Sequence, residues 1–173
     1  FEDFPVFIKP DDGQGGQGAY LLKSQTDIPA SLELDKYVIC EYLPGEELSV
    51  DCFTDKNGDL IIISPRLRQR TMAGISVAGC NVKLSDEIKF IAQRINSKIK
   101  FLGLWFFQIK KDKFGKWKLL EVAVRCASSM ALTRAIGYNL PLMSIYVAMG
   151  LDVKPLHQKY NIQMDRTLIS RYR

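Results

Sequence analysis

The chain has 173 residues, of which 47% are hydrophobic and 25% are charged, and its formal net charge is +5. This composition is that of an ordinary globular protein, with one domain or two small lobes, and it excludes disordered, collagen-like and coiled-coil proteins. The longest apolar run, residues 140–151, is far shorter than the ~20 residues of a membrane-spanning helix. Four scattered cysteines without a C-x-x-C pair, and a start without a signal-like segment, predict reduced thiols in a cytoplasmic protein.

Positive charge is concentrated in the second half of the chain. Residues 1–88 hold 8 basic and 15 acidic side chains, whereas residues 89–125 hold 10 and 2. Such a segment is compatible with a nucleic-acid surface. Five of its lysines cluster around a single turn, however, and the chain carries no RNA-binding signature. A solvated hairpin tip is therefore favoured, and nucleic acid stays a minor alternative.

The first quarter of the chain predicts a small group of strands. The apolar run 4–8 predicts a buried strand that stops at a Lys-Pro dipeptide. A strand resumes at residues 19–23 after a glycine-rich loop, and the two strands form a predicted hairpin. Residues 25–35 predict one or two helical turns. Residues 37–42 predict a further strand, closed by a Leu-Pro-Gly turn.

Two more hairpins and a helix follow. Residues 48–54 and 60–63 flank an Asn-Gly dipeptide, which suits a tight turn. Residues 104–110 and 116–125 flank a Phe-Gly dipeptide in the same way. Ser85 predicts the start of a helix between the two hairpins. Its apolar stripe consists of Ile88, Ile91, Ala92, Ile95 and Ile99.

Two short helices are predicted near the end of the chain. Residues 128–136 predict a helix stopped by Gly137, and Pro141 begins another that Gly150 ends. Strand hairpins first, with helices packed on one side of the sheet, predict the α+β class.

The loop of residues 11–18, Asp-Asp-Gly-Gln-Gly-Gly-Gln-Gly, has four glycines in its last six residues. Glycines permit positive φ and let backbone N–H groups approach an anion closely. No G-K-[ST] follows, and a strand rather than a helix comes next, so neither nucleotide-binding fingerprint fits. Because Lys9 precedes the loop, we favour a phosphate-binding flap over a floppy hairpin connection.

Acidic side chains crowd the bend at residues 41–47, where Glu41, Glu46 and Glu47 follow the end of a strand. Carboxylates in such a place can accept hydrogen bonds from ribose hydroxyls, and bent backbone can read an adenine edge. From this segment alone, a solvated acidic turn is favoured.

The hairpin at residues 104–125 carries a candidate metal pair. Glu121, Ala123 and Arg125 share one face of their strand, because side chains alternate. If Phe-Gly is a two-residue turn, position 113 faces 116 and Gln108 faces Glu121. Such oxygen donors suit Mg²⁺, and Arg125 would stabilise developing negative charge. The structural alternative is a cross-strand hydrogen bond with an arginine that extends to solvent, and a bulge in the hairpin would put Gln108 and Glu121 on opposite faces.

Together these segments resemble the ATP-grasp superfamily, specifically carboxylate–amine ligases like the large subunit of carbamoyl-phosphate synthase. The stretches that carry the resemblance are FIKPDDGQGGQGA, ICEYLPGEELSVDCF, SPRLRQRTMAGIS, FFQIKKDKFGKWKLLEVAVRCASS and AIGYNLP. They occur in the family order and cover nearly the whole chain. The resemblance implies two α+β lobes with mostly antiparallel sheets that hold ATP between them: residues 1–43, then residues 44–155, with a tail at 156–173.

The resemblance also implies a set of site residues. Lys9 matches the strand lysine that contacts adenine and the phosphates. The flap residues are Gly13, Gln14, Gly15, Gly16, Gln17 and Gly18. The linker that reads adenine is Glu41, Tyr42 and Leu43, and the acid that binds ribose is Glu47. The family has basic residues near phosphate or substrate at the positions of Arg66, Arg68 and Arg70. Of these three, Arg66 is the predicted nucleotide-binding residue. Gln108 and Glu121 match metal ligands, and Arg125 the catalytic arginine that faces the acyl-phosphate.

Two departures from the family pattern have consequences. Ala123 stands where the E-x-N-x-R pattern has a metal-binding asparagine, so we expect weaker metal binding or a shifted substrate. The family also has an N-terminal domain before the first strand, so we expect the chain to be a fragment or a split subunit whose partner is that domain.

The function implied is an ATP- and Mg²⁺-dependent ligase module, with Mn²⁺ as an alternative ion. It would activate a carboxylate as an acyl-phosphate and join it to an amine. A catalytically silent nucleotide-binding module and an ATP-grasp kinase are the alternatives, and a homodimer stays open. The substrates, a carboxylate and an amine, are not identified by the sequence.

Overall fold

The computed structural model describes residues 4–13, 16–72, 74–155 and 162–167. Within these ranges the chain forms a three-stranded and a six-stranded sheet, both antiparallel, with three α-helices. The predicted α+β class and the predicted pair of mostly antiparallel sheets are confirmed. The domain boundaries after residues 43 and 155 stay predictions.

The small sheet has the order β2-β1-β3. Its strands are β1 (Val6–Pro10), β2 (Tyr20–Leu22) and β3 (Tyr37–Glu41). The predicted hairpin of β1 and β2 is confirmed, with Val6 opposite Leu22. Val6, Ile8 and Leu22 form its core, covered by the segment with two 3₁₀ turns, Gln25–Asp27 and Leu34–Lys36. The opposite face of β1 is free to line a cleft.

The large sheet has the order β8-β7-β4-β5-β6-β9. Its strands are β4 (Glu47–Thr54), β5 (Leu60–Met72), β6 (Ile75–Asn81), β7 (Gly103–Lys111), β8 (Trp117–Ala123) and β9 (Gln163–Asp165). β5 is much longer than the predicted 60–63, and β6 was not predicted. Proline and arginines after Ile63 argue against a central strand, but Arg66 is buried there with polar partners, Asp51 and Ser129. β9 comes from the described part of the predicted tail.

The helices lie on both faces of the large sheet, so the prediction of helices on one side is wrong. The physical reason is β4, which is buried almost throughout. Its even-numbered residues Leu48, Val50 and Cys52 pack with α1 (Asp86–Ile99), and Phe53 packs on the other face. A central strand with apolar side chains on both faces requires cover on both. That second cover is α3 (Leu140–Ala148), which follows the short α2 (Ala131–Ala135).

The helix ends largely follow the sequence signals. The Ser85 hydroxyl accepts from the backbone N–H of Ile88, as expected of an N-cap. Ile88, Ala92 and Ile95 are buried as predicted, but Ile99 is 54% exposed because α1 ends there. α2 covers only residues 131–135 of the predicted 128–136. The chain has no helix, within its described ranges, that is long and apolar enough to cross a membrane.

The N-cap gives a direct test of the local stability of α1. Ser85→Ala removes the acceptor for a first-turn N–H group and should lower the free energy of unfolding by about 1 kcal/mol. Ser97→Ala is the matched control, because that hydroxyl only donates to the Arg94 carbonyl within the same helix. Urea denaturation measures both variants. Equal losses for the two would contradict the assigned cap.

Candidate functional site

A cleft of about 660 Å³ lies between the two sheets and is lined by both. The small sheet contributes Phe7, Lys9 and Cys40 from the open face of β1 and β3. The large sheet contributes β4, β7 and β8 from one wall and the β5–β6 hairpin from another. Most of the described residues that were predicted to bind nucleotide or metal line this cleft. The fold therefore brings together segments that are distant in the sequence.

The glycine-rich loop reaches the cleft through Gly16. Gly16 and Gly18 have φ values of +73° and +68°, the left-handed backbone for which glycine is suited. Gly13 and Gln17 are exposed, and neither they nor Gly18 are among the described lining residues. The predicted flap residues Gln14 and Gly15 lie outside the described residues.

The linker between the sheets also lines the cleft, through Glu41, Tyr42 and Leu43. The Glu41 carboxylate lies 3.3 Å from the Lys118 ammonium of β8 and so connects the two sheets. The hydrogen bond and the charge of Glu41 raise the pKa of Lys118 above its ordinary value, with a further contribution from Asp112. Glu41 therefore has a structural partner within reach of the cleft.

Glu47 begins β4 and lines the cleft, but its carboxylate is already paired. One oxygen lies 2.7 Å from Arg68 Nη1, and the other 3.5 Å from Lys110 Nζ. The predicted ribose-binding acid therefore lines the cleft with its charge balanced by two cations. Its role toward a nucleotide stays a prediction.

Gln108 and Glu121 face each other across β7 and β8, as predicted. The predicted turn is wrong, however. The backbone N–H of Asp112 donates to the Lys116 carbonyl at 2.9 Å, so position 112 and not 113 faces 116. The Asp112 carboxylate accepts from two backbone N–H groups of this longer loop. Burial alone would raise the pKa of Asp112, but those two hydrogen bonds and nearby Lys118 lower it below its ordinary value.

A bulge corrects the register before the metal candidates are reached. Ile109 pairs with Leu119 and the next rung pairs Gln108 with Glu121, so Leu120 is the extra residue. The longer turn alone would place Gln108 opposite Leu120. The bulge shifts the pairing by one residue and so places Gln108 opposite Glu121. A bulge alone would separate the two side chains, but with the longer turn it brings them opposite each other.

Each metal candidate contacts an arginine. Arg68 Nη1 donates to Gln108 Oε1 at 2.7 Å, and Arg125 Nη2 lies 3.6 Å from Glu121 Oε1. The described residues contain no group of three histidine, cysteine, aspartate or glutamate side chains able to hold a metal alone. One carboxylate and one amide oxygen fit a magnesium ion that takes its other ligands from phosphates and water.

Ala123 is the last residue of β8, and Arg125 follows just after the strand. Ala123 pairs with Phe106 and packs against the core under α3, so the position of the expected asparagine is apolar. The Arg125 guanidinium lies 4.9 Å from the centre of the Phe106 ring and donates to the Cys126 carbonyl. Arg125 is 61% exposed and lines the cleft, where a substrate can reach it.

The prediction of Arg66 as a binding residue is not supported by its position. Its side chain is 2% exposed, and it is not among the described residues that line the cleft. Its Nε and Nη2 atoms donate to the two Asp51 carboxylate oxygens at 2.8 and 2.7 Å, and Nη1 donates to Ser129. Arg66 therefore supports the cleft wall from within.

Arg68, which sequence reasoning grouped with Arg66 and Arg70, is the arginine that lines the cleft. A bulge puts Arg68 and Arg70 on consecutive rungs and so on opposite faces. Arg70 turns to Asp165 of β9. Two segments of the cleft lining that sequence reasoning missed are the β5–β6 hairpin and the loop after β8. They contribute Thr71, Gly74, Ile75, Ser76, Ala127, Ser128 and Ser129.

Comparison with known families accounts for this arrangement. A family model described as "ATP-grasp in the biosynthetic pathway with Ter operon" matches residues 33–168. The chain belongs to this ATP-grasp family. A search of curated proteins gives no match. The resemblance inferred from the sequence motifs is therefore confirmed at the level of the superfamily.

Solved structures share the ATP-grasp fold. A biotin carboxylase–β-γ-ATP complex from Campylobacter jejuni matches with a TM-score of 0.73 and 16% identity, over 87% of this chain and 38% of that one. The biotin carboxylase domain of 2-oxoglutarate carboxylase from Hydrogenobacter thermophilus, with MgADP, ADP and bicarbonate, gives 0.77 and 15%, over 93% and 40%. N5-carboxyaminoimidazole synthetase from Staphylococcus aureus with ADP gives 0.74 and 17%, over 88% and 43%. This chain thus spans less than half the length of these structures.

The structural role of Arg66 can be tested against Arg70. Arg66→Met leaves the Asp51 carboxylate buried and unpaired, and should lower the free energy of unfolding by about 3–5 kcal/mol. Arg70→Met removes an exposed ion pair and should cost about 1 kcal/mol or less. Urea denaturation of the two variants measures the difference. A loss at Arg66 no larger than that at Arg70 would rule out the buried-pair assignment.

Proposed function

We propose that the cleft binds ATP with a divalent metal ion and that the module activates a carboxylate for ligation to an amine. The observation that carries this proposal is the convergence of two features in an ATP-grasp cleft. Lys9 and Gly16 lie on one side, and the Gln108–Glu121 pair lies on the other. ADP or ATP in the three fold relatives supports the nucleotide assignment.

Each wall of the cleft has a proposed task. Lys9 and the loop backbone near Gly16 bind the phosphates, because a cation and free N–H groups neutralise anionic oxygens. The linker at residues 41–43 binds adenine, and Glu47 binds ribose. Gln108 and Glu121 hold the metal ion. The bound ion supplies charge neutralisation and keeps the triphosphate in line for transfer.

The chemistry proposed is two displacements. A substrate carboxylate oxygen attacks the γ-phosphorus, the bond to the β–γ bridging oxygen breaks, and ADP leaves. The amine nitrogen then attacks the acyl carbon and expels phosphate, losing a proton. Arg125 lies where it can neutralise the oxygens of the transferred group, so the protein contributes positioning and charge rather than a covalent nucleophile. The carboxylate and the amine remain to be identified by experiment.

A catalytically silent nucleotide-binding module is the second candidate, and Ala123 favours it. The methyl group cannot coordinate a metal, and it packs beside Phe106 in the core under α3. Nucleotide binding is common to both candidates, whereas carboxylate-dependent turnover belongs only to the ligase.

Nucleotide binding is tested by thermal stability. Mg-ATP and Mg-ADP should raise the melting temperature by mass action, and nucleotide without metal should raise it less. Glu121→Gln should weaken metal-dependent binding by about tenfold or more, the size of effect that even outer-shell partners can have. Glu46→Gln is the control, because that exposed acid pairs with Lys111. No shift with wild type, or equal binding by both variants, would overturn the metal assignment.

Turnover separates the two candidates. With Mg-ATP and a panel of carboxylates and amines, a ligase should release ADP in a carboxylate-dependent way, measured by a coupled ADP assay. Arg125→Met should lower that rate by about 10²-fold or more, as loss of a transition-state donor does, with little change in Mg-ATP affinity. ADP release that needs no amine and yields a stable phosphorylated product would instead indicate a kinase. Nucleotide binding without ADP release would support the silent module.

A further inference from the structure

Arg68 occupies the centre of the candidate site, and the proposed function gives it no task. Its side chain is 7% exposed, although it lies at the cleft. Nη1 is 2.7 Å from Gln108 Oε1 and 2.7 Å from Glu47 Oε1, and Nη2 donates to the Gly74 carbonyl at 2.6 Å. Contacts to β4, β7 and the β5–β6 hairpin therefore fix the guanidinium.

The guanidinium also has an unused donor. Its Nε is buried and has no hydrogen-bond partner among the described residues. A buried N–H group of a charged side chain without a partner is costly and rare. The site therefore holds a permanent positive charge with one donor unused, beside the amide that is a candidate metal ligand.

The oxygen donors around this charge suffice for a single divalent ion. An amide oxygen has two lone pairs, and Arg68 already occupies one on Gln108. Glu121 is the only carboxylate on strands β7 and β8, and the next residue on its face is apolar Ala123.

Two other acids line the cleft, but both are already paired with cations. Glu47 pairs with Arg68 and Lys110, and Glu41 pairs with Lys118. A second ion would have to displace one of these cations and would lie near a fixed guanidinium, which repels it.

We propose that Arg68 takes the place of a second metal ion, so that the site binds one divalent ion per nucleotide. The guanidinium supplies positive charge beside the phosphates, and it orients Gln108 toward the single ion. Arg68 is thus a positioning residue that also supplies part of the positive charge that neutralises the phosphates. This inference rests on the proposed nucleotide site and deepens it.

The count of bound metal ions tests the inference. Mn²⁺ is titrated into the chain saturated with a non-hydrolysable ATP analogue, and free Mn²⁺ is measured by electron paramagnetic resonance. Wild type should bind one Mn²⁺ per bound nucleotide. Arg68→Met frees both lone pairs of Gln108 and removes the charge, so a second Mn²⁺ should bind and nucleotide affinity should depend on it. Arg68→Lys keeps the charge and should remain at one.

The controls separate this role from a structural one. Arg70→Met removes an exposed arginine of the same strand and should leave the count at one. Two Mn²⁺ per nucleotide on wild type would overturn the inference, and so would Arg68→Met with a count of one and unchanged affinity. If Arg68→Met does not fold, the counts on wild type and Arg68→Lys decide in the same way. Failure of wild type to bind nucleotide would instead overturn the proposed function and, with it, this inference.

Discussion

Asp51 and Arg66 form a buried ion pair in the middle of the large sheet, and the division of one sheet face into a core and a cleft depends on it. Toward α3, the same face carries Phe53 and Phe106 and is apolar. Toward the linker it carries Glu47 and polar partners that line the cleft. A buried charge is tolerated only when it is paired and fully hydrogen-bonded. Asp51 meets this condition through Arg66 and the Thr133 hydroxyl, which also ties α2 to the sheet.

The β7–β8 hairpin shows how local irregularity positions a site. The Asp112 carboxylate stabilises a loop that is one residue longer than the sequence suggested, and the extra residue at Leu120 compensates for it. The pairing of Gln108 with Glu121 is the product of both irregularities. Either one alone would shift the strand by one residue and turn Glu121 to the other face, because side chains alternate.

Sequence reasoning succeeded where a local physical signal exists. Ser85 caps its helix, and apolar runs bounded by turn residues located most strands. It failed where tertiary partners decide. Pro65 and the arginines after it seemed to end β5, because the buried acid that pairs with Arg66 is distant in sequence. Arg68 could not be separated from Arg66 by spacing alone, since the partners Asp51 and Gln108 determine that Arg66 is buried and that Arg68 reaches the cleft.

The pair formed by Glu41 and Lys118 gives the two sheets a tether of a particular kind. Both side chains are about half exposed, at 52% and 44%, and solvent-exposed charge pairs weaken as dissolved salt screens them. The backbone ladders inside each sheet have no such sensitivity. The ion pair between the two sheets is therefore weaker than the backbone hydrogen bonds within each sheet. A hinge-like opening at the linker would break this ion pair and leave both sheets intact.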